Sequence, residues 1–106
     1  DVTLVEQAEE MGEIRRRVSL VVRRTGQEAC FARSVIPLSA NSKEVLADVR
    51  DGVLGIGQIA VKHRIPTERR IREVNVSQSQ ISRKYIMQGP GLYYVVTEVF
   101  PRELYR

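Results

Sequence analysis

The stretch LYYVVTEVFP, Leu92 to Pro101, decides the fold and poses its main question. It is rich in β-branched and aromatic residues, which suit a pleated, half-buried surface. Side chains alternate across a strand, so Leu92, Tyr94, Val96, Glu98 and Phe100 share one face. Tyr93, Val95, Thr97 and Val99 share the other. Glu98 therefore stands in an apolar row, where an unpaired carboxylate is costly. Two readings are open. An arginine from a neighbouring strand, such as Arg83 or Arg33, pairs with it, or the carboxylate lines a pocket and handles a proton there.

Working back from this strand, Gly89-Pro90-Gly91 is a strong turn signal, and Ile81–Gln88 and Arg69–Val76 read as two further strands. Before them, SANSKEVLADVRDG reads as a helix. Asn41 can cap it with Glu44 three residues on, Val45, Leu46 and Val49 form its apolar stripe, and Gly52 ends it. Leu54 through His63 reads as a second short helix, stopped before Pro66. The N-terminal half reads as strands Val2–Ala8, Arg15–Arg24 and Ala29–Pro37, with turns around Glu9–Gly12 and at Thr25-Gly26-Gln27. The expected class is α+β, a mostly antiparallel sheet of about six strands flanked by helices, in a single domain over residues 1–106. Two short helices are few for a sheet with two apolar faces. A missing N-terminal helical portion or a homodimer partner is expected to supply the rest.

Composition narrows the function. With 42% hydrophobic and 28% charged residues, the chain is that of a globular domain, not a disordered one. It holds no apolar run of membrane-spanning length and no signal-peptide pattern. The single cysteine, Cys30, cannot form an internal disulfide, and a reducing cytoplasm is expected. The net charge of +4 comes from basic clusters at residues 15–17, 23–24 and 62–72. Glu13, Glu28, Glu68 and Glu73 interrupt them, and aromatics do not alternate with them as on a base-stacking platform. A small anionic partner is expected rather than nucleic acid.

Several chemistries lack their residues. LGIG follows a helix and lacks the third glycine of a dinucleotide fingerprint, and no phosphate-binding loop is present. His63 and Cys30 lie far apart and make neither a zinc site nor a Cys-His pair, and no serine has a base nearby in sequence. The expected chemistry uses no metal, no cofactor and no covalent nucleophile.

Three stretches, TGQEACFARSVIPLS, DGVLGIGQI and SRKYIMQGPGLYYVVTEVFPRELY, resemble in order and spacing the motifs of chorismate lyase and its archaeal, cyanobacterial and mycobacterial relatives. The same fold serves as the effector-binding domain of GntR-type transcription regulators. The resemblance implies a lyase that forms 4-hydroxybenzoate and pyruvate from chorismate without a cofactor. The alternative is a non-catalytic domain binding an aromatic acid. The match implies that Glu98 meets the ring hydroxyl and that Leu54 supplies a backbone contact. The family's carboxylate-binding cation falls on Glu6 in a gapless match. Arg17, Arg33, Arg69 or Arg83 would then supply the positive charge, with Arg83 the first choice.

Overall fold

The computed structural model describes residues 2–21 and 28–101. Strands β1 (Val2–Glu10), β2 (Glu13–Val21) and β3 (Glu28–Pro37) come first. A 3-10 turn at Leu38–Ala40 leads into helices α1 (Lys43–Asp51) and α2 (Ile56–Lys62). Strands β4 (Glu68–Val76), β5 (Gln80–Gly89) and β6 (Leu92–Pro101) complete a six-stranded sheet of order β1-β2-β3-β6-β5-β4, antiparallel at every pair. The class is α+β, as the sequence indicates.

Local chemistry sets the turns. Met11 and Gly12 both have positive φ, 52° and 80°, and join β1 to β2 as a two-residue turn of the primed kind, so both strands reach further than the sequence suggests. Pro90 and Gly91, the latter at φ 70°, join β5 to β6. The expected turn at residues 25–27, and residues 22–24 of the expected second strand, lie outside the described residues.

The N-cap of α1 is Ser42, whose hydroxyl accepts from the Val45 amide at 3.2 Å. Asn41 has a different task. Its amide nitrogen donates to the Pro37 and Tyr93 carbonyls, and its oxygen accepts from the Tyr93 amide at 2.8 Å. It thus ties the chain entering α1 to the start of β6. Gly52, at φ 75°, ends α1 as expected. The second helix is shorter than the sequence suggests, because Gly55 is its N-cap and His63 its C-cap.

Both helices cover one half of one sheet face. The cross-strand pairs Ile14 with Ile36 and Met87 with Tyr94 lie there and pack with Val45, Leu46 and Val49 of α1 and Ile59 and Ala60 of α2. The next row, Arg16, Ser34, Val96 and Tyr85, lies at the edge of this core. The one after it, Val18, Ala32, Glu98 and Arg83, lies further out. The boundary between the covered and uncovered halves is where the site forms.

Candidate functional site

A cavity of about 330 Å³ opens at this boundary. Val18, Ala32 and Val96 give it an apolar floor, Tyr85 an aromatic side, and the Gly55–Gln58 entry to α2 a wall. Gln58 holds that wall by accepting the Gly55 amide at 2.8 Å. Three charged side chains reach the lining: Arg16, Glu98 and Arg69.

Glu98 is on the face that the alternation assigns. Its Oε1 accepts from Arg83 Nε at 2.6 Å, and its side chain is 14% exposed. Glu98 stands directly opposite Arg83 on β5, so register alone brings the pair together. The arginine-partner reading is therefore met by Arg83. The carboxylate also lines the cavity, which is the placement, though not the proton chemistry, of the second reading. The bond to Glu98 is the main cause that holds the Arg83 guanidinium above its ordinary pKa. Arg83 and Arg69 flank the Tyr85 ring, 5.5 and 5.4 Å from its centroid. Burial, and next the Glu98 charge, push the Tyr85 hydroxyl's pKa upward.

Arg16 is the residue that sequence reasoning missed. It is 4% exposed, and its Nη2 donates to the Leu54 carbonyl at 2.6 Å. Its Nε and Nη1 are buried without a hydrogen-bond partner among the described residues. Its cross-strand neighbours, Gln7 and Ser34, are neutral. Burial pulls its pKa below the ordinary arginine value. Nearby, the Tyr94 hydroxyl is also buried and without a partner among the described residues, and burial pushes its pKa up to about 12. A buried guanidinium in a cavity wall with two donors left without a partner among the described residues is short of an acceptor, and an anion is the best one.

The other expected residues divide by face. Leu54 reaches the site through its carbonyl, which Arg16 holds. Arg69 lines the cavity. Arg17 and Arg33 do not. They stand opposite each other on the far face of the sheet, because they are one residue out of phase with Arg16 and Ala32. Glu6 is on that far face too. A bulge after Leu4 shifts the β1 register and sets it opposite Arg17, to which it is bonded at 3.4 Å. Glu6 therefore lies outside this cavity, and the cation that lines it from β2 is Arg16. The signal was available in Ile14-x-Arg16-x-Val18, an alternation that puts the middle arginine of Arg15-Arg16-Arg17 on the core face.

Among the described residues, no group of three His, Cys, Asp or Glu side chains converges as a metal site needs, and no helix is long and apolar enough to cross a membrane. No protein-family model and no curated protein matches this chain, so the cavity's use is read from its own chemistry.

Proposed function

We propose that the cavity binds a single-ring aromatic carboxylic acid and that the protein is a chorismate lyase-like enzyme, forming 4-hydroxybenzoate and pyruvate without a cofactor. The observation that carries this is Arg16, a buried cation with two idle donors, set across an apolar floor from Glu98. The two residues are two strands and two positions apart. At roughly 4.8 Å per strand and 3.4 Å per residue, their Cα atoms are about 12 Å apart, room for one ring between the side-chain tips.

In this reading the ring carboxylate pairs with Arg16 by accepting from one of its two unpartnered nitrogens, a charge-assisted bond. The ring lies on Val18, Ala32 and Val96 beside Tyr85, and its hydroxyl meets Glu98. The enolpyruvyl carboxylate of chorismate is held by Arg83 or Arg69. The ring C–H bond at the hydroxyl-bearing carbon breaks, and its electron pair completes the aromatic ring. The adjacent C–O bond breaks and releases enolpyruvate, which takes up a proton to become pyruvate. Aromatisation drives the step. The side chains position the ring, balance its charge and relay the proton through Glu98.

One observation favours a second reading, a non-catalytic aromatic-acid sensor. Glu98 is already bonded to Arg83, which suits a recognition contact as well as a proton relay. Incubating the full-length protein with chorismate separates the two. The enzyme forms product, and Glu98→Gln lowers turnover by roughly 100-fold or more while 4-hydroxybenzoate still binds. A protein that forms no product yet binds 4-hydroxybenzoate through Arg16 is the sensor. Turnover unchanged by Glu98→Gln refutes the assigned role.

A further inference from the structure

The sheet face away from the helices carries a row of side chains that follows directly from the register. Across the six strands it reads Glu6, Arg17, Arg33, Thr97, Lys84, Glu73. The acids stand at the two edges and the three cations in the middle. Arg17 and Arg33 are direct cross-strand neighbours, and like charges in that position destabilise a sheet. Among the described residues only Arg17 is relieved, by Glu6 at 3.4 Å, and its Nε remains buried without a partner there. Arg33 is exposed and makes no ion pair among the described residues. The two guanidinium groups share a cavity of about 390 Å³ with Phe31, Thr97, Val99 and Gln80. Phe31 is 41% exposed there, an aromatic ring lying in the open beside two cations.

We infer that Arg17 and Arg33 form a second anion site, on the face opposite the cavity of Arg16, which takes a small aryl phosphate. Two forked guanidinium groups side by side match a phosphate carrying close to two charges, whereas one carboxylate answers only one of them. The Thr97 hydroxyl and the Gln80 side chain add hydrogen bonds at the rim. Phe31 and Val99 give the ligand's ring an apolar surface, so the ring and the phosphate are read together. A second copy of this chain is a poor occupant. A two-fold axis centred on the row sets Arg33 against itself or Thr97, and Arg17 against itself or Lys84.

Phenyl phosphate and inorganic phosphate, added to the full-length protein during thermal denaturation and calorimetric titration, test this. Phenyl phosphate is expected to raise the melting temperature of the wild type and of Arg16→Met alike. Inorganic phosphate binds more weakly because it has nothing to set on Phe31, and Phe31→Ala brings phenyl phosphate down to the same level. Arg33→Gln is expected to weaken phenyl phosphate by about tenfold or more. Without ligand, the same variant melts no lower than the wild type, because it removes a like-charge neighbour. The inference is overturned if phenyl phosphate stabilises Arg33→Gln as much as the wild type. It is equally overturned if phenyl phosphate stabilises neither protein, or if Arg16→Met alone abolishes the effect. A single-stranded oligonucleotide that binds more tightly than phenyl phosphate would also overturn it.

Discussion

Replacing Arg16 by methionine should stabilise the ligand-free protein while destroying its binding site. Methionine keeps the length of the stem and fills the same apolar surroundings. The charge is 4% exposed, its pKa is pulled down by burial, and two of its nitrogens are unpartnered. Exchanging even a buried ion pair for apolar groups of similar volume ranges from neutral to a gain of roughly 1–4 kcal/mol, and Arg16 has no paired charge to lose among the described residues. Against this stands the 2.6 Å bond to the Leu54 carbonyl, worth about 1.5–3 kcal/mol as a bond from a charged donor. Leu54 is only half-buried, so its carbonyl can be rehydrated and the lower end of that range applies. The net is a gain of about 1 kcal/mol, a rise in melting temperature of roughly 4–8 °C for a domain this size. Urea and thermal denaturation with and without 4-hydroxybenzoate read both halves. The ligand should stabilise the wild type and leave Arg16→Met unmoved. A variant destabilised by more than about 2 kcal/mol, with the ligand effect intact, would show that Arg16 is a structural strut and refute the reasoning.

Four further outcomes follow from named contacts. Glu98→Gln weakens the 2.6 Å bond to Arg83 and should cost about 1–2 kcal/mol in urea denaturation, while lowering chorismate turnover by roughly 100-fold or more. Asp48 bridges the two helices by accepting from Lys62 Nζ at 2.8 Å and bonding His63 Nε2 at 2.5 Å, and the bond to Lys62, then that to His63, holds its pKa below its ordinary 3.8. A depressed carboxylate pKa adds stability above 3.8 that is lost as pH falls through the folded value, so Asp48→Asn should melt below the wild type at neutral pH and approach it in strong acid. Gly89→Ala sets a methyl group against the Pro66 carbonyl oxygen and the Ile65 side chain, and should shift β5 from the loop before β4 and lower the melting temperature sharply. Gly57→Ala in α2 meets open space, and should gain about 0.5 kcal/mol through lower chain entropy in the unfolded state.

Most of the sheet was legible because alternation and turn chemistry are local. LYYVVTEVFP kept its faces, and Gly52 ended its helix as expected. The capping residue was misplaced by one, since Ser42 and Asn41 offer similar oxygens, and only the approach of Tyr93 draws Asn41 away. The site was half legible. Glu98 could be found because one acid in an apolar row stands out. Arg16 could not be found by counting charges, because Arg15 and Arg17 surround it with the same chemistry. Its phase relative to Ile14 and Val18 singles it out. Glu6 was misassigned for a non-local reason. The bulge after Leu4 reverses which way it faces, and no single residue in the first strand announces it.

Every role given to the cavity depends on an aromatic acid lying between Arg16 and Glu98. The most direct measurement is a time course of the full-length protein with chorismate, quantifying both products. The account predicts one 4-hydroxybenzoate and one pyruvate for each chorismate consumed, at a rate that falls away in Arg16→Met. Neither product formed, together with no saturable binding of 4-hydroxybenzoate, would contradict it.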